Sequence, residues 1–245
     1  MNTQSIWAMH GFLGHSSDFD ILKELGLDLQ AVNLVGHGDF QSSSEMFSTK
    51  AQVQYWLQKM PMNHILMGYS MGGRLALQMV SHHPSFFKGL ILIGATPGLQ
   101  DPNDIQERRI WDIQQAAQIR KLGMPSFLEQ WQQMSIIQSQ QNIDSTIRKM
   151  MQHYRNQQDP EQMAWSMEYF GTGTMPHCWE FLPKISIPVF LVVGEDDAKY
   201  LAIAEQMLQR LPNAHLCIIP QAGHCAHLEQ PLIFVQKIQE WLQQF

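Results

Sequence analysis

Six short apolar runs recur along the chain, each bounded by turn-forming residues: Ser5 to Met9, Gln30 to Val35, His64 to Gly68, Gly89 to Ile93, Pro188 to Val193 and His215 to Ile219. Runs of this length are too short for core helices and predict strands buried on both faces. Between most of them apolar positions return at helical spacing, over Phe19 to Leu25, Thr49 to Leu57, Met71 to Val80 and Ile203 to Leu211. Such alternation implies an α/β fold with a mostly parallel sheet, because a parallel crossover needs a dozen or more residues and a helix fills it.

One stretch departs from this rhythm. From Asp101 to Phe170 the pattern is helical, rich in Gln, Met and Trp, with no run that reads as a strand. It predicts a helical insertion, with the α/β core resuming near Ile187. The expected division is a core of residues 1–100 and 180–245 and a helical cap over 101–179. The first run leads at once into His10-Gly11-Phe12, so no opening antiparallel strands are expected.

Composition narrows the class. The 245 residues suffice for one α/β domain with an insertion, and 44% apolar against 16% charged residues argues for a packed globular chain. A net charge of −6 gives no broad electrostatic reason to bind nucleic acid or an anionic membrane. Three cysteines, Cys178, Cys217 and Cys225, are an odd number without CxxC spacing and predict buried or idle thiols, not a disulfide framework or zinc site. No apolar run reaches the ~18 residues of a membrane-spanning helix. The start, Met1-Asn2-Thr3-Gln4-Ser5, shows no basic segment followed by an apolar one, so a cytoplasmic protein is expected.

Three segments carry candidate chemistry. Gly68-Tyr69-Ser70-Met71-Gly72-Gly73 lies between a strand-like run and a helix-like one, the setting of a nucleophile elbow. Gly194-Glu195-Asp196-Asp197 follows a strand directly, where such folds place an acid; Asp197 is the first choice, Glu195 and Asp196 the alternatives. Gly223-His224 completes the order Ser, Asp, His. An imidazole titrating near ~6.5 can take the serine proton and return it, and a partnered acid fixes its tautomer. The backbone N–H groups of Phe12, after the first strand, and Met71 are the expected oxyanion donors. Gly36-His37-Gly38 reads as a structural turn, and His227 as a packing residue in preference to a metal ligand. No metal and no cofactor are expected.

An ordered set of marks goes further: Gly68 to Arg74, Pro97-Gly98-Leu99, Glu107-Arg108, Phe127 with Trp131, Gly171-Thr172-Gly173 with Pro176 and Trp179, Gly194 to Tyr200, and Gly223 to Glu229. Through these the chain resembles the 2-succinyl-6-hydroxy-2,4-cyclohexadiene-1-carboxylate synthases of menaquinone and phylloquinone biosynthesis, which have the α/β-hydrolase fold. The resemblance implies a lyase that expels pyruvate from 2-succinyl-5-enolpyruvyl-6-hydroxy-3-cyclohexene-1-carboxylate, begun by proton abstraction next to the succinyl ketone, with Ser70 activated as a base and forming no acyl intermediate. It also implies that Arg108 and Arg155 bind substrate carboxylates and that Tyr69 and Trp131 line the pocket.

The arginine pattern agrees with a small polycarboxylate substrate. Five of the seven arginines fall in the expected cap. Arg74 lies one helical turn beyond Ser70 on the same face, and its planar fork suits a carboxylate. Arg109, Arg120 and Arg148 read as surface charges. The chain departs from the family at Ser135-Ile136-Ile137, where a Pro-Leu-Phe run is usual, and at Asn33 and Val35, where Asp and Pro are usual. A carboxylesterase or carbon–carbon bond hydrolase would use the same triad with Ser70 as nucleophile, and Arg74 separates the two readings. No pattern in the sequence specifies an oligomeric state.

Overall fold

The computed structural model describes residues 6–245, so Ser5 of the first expected strand lies outside the described residues, as does the leader reading of residues 1–5. In chain order the elements are β1 (Ile6–Met9), α1 (Asp20–Glu24), β2 (Leu29–Val32), α2 (Thr49–Lys59), β3 (His64–Tyr69), α3 (Met71–His82), β4 (Phe87–Ile93) and α4 (Pro102–Trp131). There follow α5 (Ser135–Gln138), α6 (Ser145–Asn156), α7 (Pro160–Phe170), β5 (Val189–Gly194), α8 (Ala198–Leu208), β6 (Ala214–Ile219), α9 (Ala226–Glu229) and α10 (Pro231–Leu242).

The six strands form one sheet in the order β2-β1-β3-β4-β5-β6, every neighbouring pair parallel. Both faces are covered, which is why β3, β4 and β5 read as continuous apolar runs. Alternate strand residues serve opposite layers: Leu66, Leu90 and Leu191 pack with α2, α3 and α8, while Ile65, Ile91 and Phe190 pack with α1 and α10. Strand order reverses at β1, so the loops after β1 and β3 diverge at the carboxyl edge and leave a crevice there.

At three places a side chain moves an element boundary away from expectation. The run Gln30 to Val35 stops as a strand at Val32, since Asn33 accepts from Ser16 N at 2.7 Å and donates to Asp39 at 2.8 Å, turning the chain. The helix expected from Ile203 begins at Ala198 and ends at Leu208, because Asp197 caps it through Tyr200 N. Phe19 to Leu25 divides into a 3₁₀ turn, Ser16–Phe19, capped by His15, and the short α1.

Between β4 and β5 the chain is helical, with no strand among the described residues. α4 breaks at Gly123, whose φ of 70° and ψ of 171° are non-helical. α4 and α7 bury Ala116, Ile119, Phe127, Leu128, Met163 and Met167 together with Leu13 of the loop after β1, which seats these helices over the carboxyl edge of the sheet. No described helix is long and apolar enough to cross a membrane.

The loop after β1 is pinned by two buried histidines. His10 Nδ1 donates to Gly11 O at 2.7 Å, leaving Nε2 to accept from Leu34 N at 3.0 Å. His37 Nδ1 donates to Val35 O at 3.1 Å, and its Nε2 accepts from Leu13 N at 3.3 Å. Burial holds both rings neutral, His37 being pushed down to about 4. This bears out the structural reading of Gly36-His37-Gly38. Replacing His37 by Leu strands the Leu13 N–H, so we expect a loss of ~1–3 kcal/mol in the denaturant-unfolding free energy; an unchanged midpoint would show that the loop does not need this acceptor.

Candidate active site

Ser70 follows β3 and precedes α3 with φ 50° and ψ −107°, a conformation that L-residues adopt only when the surroundings enforce it. Two backbone bonds do so: Ser70 N to Ile93 O at 2.8 Å and Gly72 N to His10 O at 3.0 Å. The turn is so tight that a Cβ on Gly68 would lie 2.5 Å from Gly72 O, which explains the glycines of the motif. The Ser70 hydroxyl is thereby raised into the crevice.

His224 Nε2 lies 3.0 Å from Ser70 Oγ, and its Nδ1 lies 2.6 Å from Asp197 Oδ2. With Nδ1–H donated to the carboxylate, Nε2 is the free acceptor for the serine proton. Asp197 and His224 are buried, whereas Glu195 and Asp196 are exposed, Glu195 accepting from Gln221 N at 3.0 Å. Of the three neighbouring acids, Asp197 is the one that meets the histidine. The N–H groups of Phe12 and Met71 have no protein acceptor among the described residues, although those of Leu13, Gly14, Ser70 and Gly72 do. Two unpaired donors therefore remain beside the serine, at the start of a helix whose dipole adds positive potential.

The triad opens into a cavity of about 370 Å³ lined by Tyr69, Arg74, Arg108, Trp131 and Arg155. The sequence-predicted residues are thus brought together in one space. Arg74 is buried, donates Nη1 to Phe170 O at 3.0 Å and stacks on the Phe170 ring at 5.3 Å. Burial, then the nearby charge of Arg108, lowers its pKa to about 10, which leaves it ionised at neutral pH. Arg108 lies over Trp111 and donates Nε to Asp112 at 2.8 Å. Arg155 Nε is buried without a partner. Trp131 packs edge-on to Phe12, their rings 5.4 Å apart. Ser135, Ile136 and Ile137, the departure from the family pattern, form part of the same wall.

Arg109 and Arg148 are exposed, as expected of surface charges. Arg120 is exposed as well, and it ties α4 to α7, paired through two guanidinium nitrogens with Glu161 and through two with Glu168. Cys178 and Cys225 are buried and Cys217 is half-buried, all three free. His227 is buried against Phe19 and Tyr69, and burial pushes its pKa down to about 3.

Three acids were missed in the sequence. Asp112, 1% exposed, holds Arg108 and also accepts from Gly173 N at 2.9 Å; its position four residues beyond Arg108 was the readable signal. Glu229 accepts from Gly223 N at 2.7 Å, Cys225 N at 3.0 Å and Ser139 Oγ at 2.9 Å, clamping the peptides on either side of His224. Asp18 lines the cavity and accepts from His15 N at 3.0 Å; burial raises its carboxyl to about 6. Its sequence setting suggests only a helix cap.

A parallel sheet covered on both faces, a strained serine between strand and helix, and a Ser-His-Asp hydrogen-bonded chain define the serine class of α/β hydrolases. Residues 2–231 match the Hydrolase_4 family, described as serine aminopeptidase, S33. A Bacillus subtilis protein named provisionally as a 2-succinyl-6-hydroxy-2,4-cyclohexadiene-1-carboxylate synthase is 31% identical, over 98% of this chain and 90% of its own length. The synthase of that name from Serratia proteamaculans is 28% identical, over 97% of this chain and 92% of its own. The solved structure of MenH from S. aureus superposes with a TM-score of 0.93 at 29% identity, covering 100% of this chain and 95% of that one. The chain belongs to the Hydrolase_4 family and, within it, to the 2-succinyl-6-hydroxy-2,4-cyclohexadiene-1-carboxylate synthases.

Two expectations follow. Glu229→Gln keeps an acceptor but loosens the clamp, so kcat should fall by ~10- to 100-fold with little change in KM; steady-state kinetics with unaltered kcat would make Glu229 purely structural. Asp18→Asn keeps the cap acceptor and removes a buried acid. Because its folded pKa of about 6 exceeds the ordinary 3.8, the folded state holds the proton longer, and stability is lost as pH rises from about 4 through about 6. The variant should therefore be more stable than the parent at pH 8, by up to ~3 kcal/mol, and indistinguishable below pH 4. Thermal unfolding at the two pH values checks this, and a variant less stable at pH 8 would refute it.

Proposed function

We propose that the protein is a carbon–oxygen lyase that converts 2-succinyl-5-enolpyruvyl-6-hydroxy-3-cyclohexene-1-carboxylate to 2-succinyl-6-hydroxy-2,4-cyclohexadiene-1-carboxylate and pyruvate, in menaquinone or phylloquinone biosynthesis. The observation that carries this reading is the joining of a poised Ser70 hydroxyl with three guanidinium groups, Arg74, Arg108 and Arg155, in one cavity. A substrate bearing several carboxylates repays the burial of those cations, and a neutral ester does not.

In this reading Ser70, relieved of its proton by His224, removes the hydrogen on the ring carbon next to the succinyl ketone. The electron pair forms a double bond to the neighbouring ring carbon, the existing double bond moves one position along, and the bond to the enolpyruvyl oxygen breaks. The departing enolate takes a proton and becomes pyruvate. Water is not consumed and no bond to Ser70 is needed. The N–H groups of Phe12 and Met71 receive the charge that develops on the ketone oxygen, and Asp197 stabilises the imidazolium.

Arg74, held by Phe170, meets a carboxylate near the reacting carbon; Arg108, held by Asp112, and Arg155 meet the others; Tyr69 and Trp131 shape the wall. Residues 101–179 act as a cap over a core of residues 1–100 and 180–245, and the work is done in the cytoplasm on a small-molecule polycarboxylate.

Purified protein given the enolpyruvyl precursor should release pyruvate stoichiometrically with the diene. Arg74→Ala should lower kcat/KM for that reaction by ~100-fold or more while leaving hydrolysis of a neutral aryl ester nearly unchanged. Ester turnover without pyruvate release would instead assign the protein to the hydrolases.

A further inference from the structure

A second concavity, a groove of about 550 Å³, lies against the catalytic cavity on the helical side of the molecule. The two share Ile137, Gln140, Met151 and Arg155, so these four side chains stand between them. α6 supplies most of the floor. Arg148, Met151 and Arg155 recur at three- and four-residue intervals on one face of that helix, which spaces the two arginines ~10 Å apart along its axis. Arg148 is exposed, whereas Met151 between the two arginines is buried and Arg155 is half-buried.

The groove's charge is opposite to the protein's. Arg148, Lys149 and Arg155 face a single acid, Glu129, on a chain whose net charge is −6. Neither Arg148 nor Lys149 forms an ion pair among the described residues. At the inner end the buried Arg155 Nε has no hydrogen-bond partner. Uncommitted cations at the outside and the unpartnered Arg155 Nε at the shared wall offer an anion successive positive partners.

We propose that this groove is the port through which the polycarboxylate substrate reaches the triad, with Arg148 and Lys149 drawing it in and Arg155 receiving it at the shared wall. The inference rests on the function proposed above and adds to it the route and the residues that set the rate of capture. Exposed cations act mainly before the substrate is seated, since their field is screened over ~8 Å at physiological salt. Their contribution therefore falls on kcat/KM and not on kcat.

The test is the full-length double variant Arg148→Glu with Lys149→Glu, assayed for pyruvate release over a range of ionic strength. The control is Lys88→Glu with Arg210→Glu, an equal change of net charge: Lys88 lies at the start of β4 and Arg210 just beyond α8, at the opposite edge of the sheet. The groove variant should lose ~10-fold in kcat/KM at low salt with kcat unchanged, the loss shrinking as salt is added, while the control keeps the parent's values. Equal kcat/KM in parent and groove variant would overturn the port, as would an equal loss in the control. Absence of pyruvate release by the parent would instead overturn the proposed function.

Discussion

The hydrogen bond from the Ser70 hydroxyl to His224 Nε2, 3.0 Å long, is the constraint around which the rest of the molecule is arranged. Its two ends belong to residues 154 positions apart in sequence, and neither is free to adjust. Ser70 is forced into positive φ by bonds to β4 and to the loop after β1. His224 is fixed at its ring by Asp197 and through the N–H groups of the flanking Gly223 and Cys225 by Glu229. Asp197 in turn begins α8, so the same carboxylate that orients the imidazole also ends the loop after β5. Strain at the serine persists because the sheet on both sides over-determines it.

Around this centre the protein uses charge economically. Its overall balance is acidic, yet the cavity gathers three arginines in different settings: Arg74 held by a backbone carbonyl, Arg108 by Asp112, and Arg155 with its buried Nε unpartnered. The Glu229 carboxylate reaches Ser139 from the helical segment as well as the peptides around His224. The helical segment and the catalytic loop therefore share a polar joint, and a displacement of one is felt by the other.

Much of this was legible in the chain. The apolar runs identified all six strands, and the elbow motif with the order Ser, Asp, His picked the three residues that meet. What the pattern could not resolve followed from side chains acting on backbone. Asn33 ended β2 early because its amide replaces ladder partners, and Asp197 started α8 early because its carboxylate caps it. Asp197 was the first choice among three neighbouring acids, but adjacency left Glu195 and Asp196 as alternatives; the direction in which each side chain leaves the loop decides, and that depends on how β5 meets the Gly223 turn. Asp18 and Glu229 were given no role because an acid near a turn reads as solvated until the fold buries it.

The central claim is that the Ser70 and His224 pair removes a hydrogen from carbon. The most direct measurement compares kcat/KM for pyruvate release from the ordinary substrate and from one deuterated at the ring carbon beside the succinyl ketone. The account predicts slower turnover of the deuterated substrate. Equal rates, with an ester on Ser70 accumulating during turnover, would contradict it.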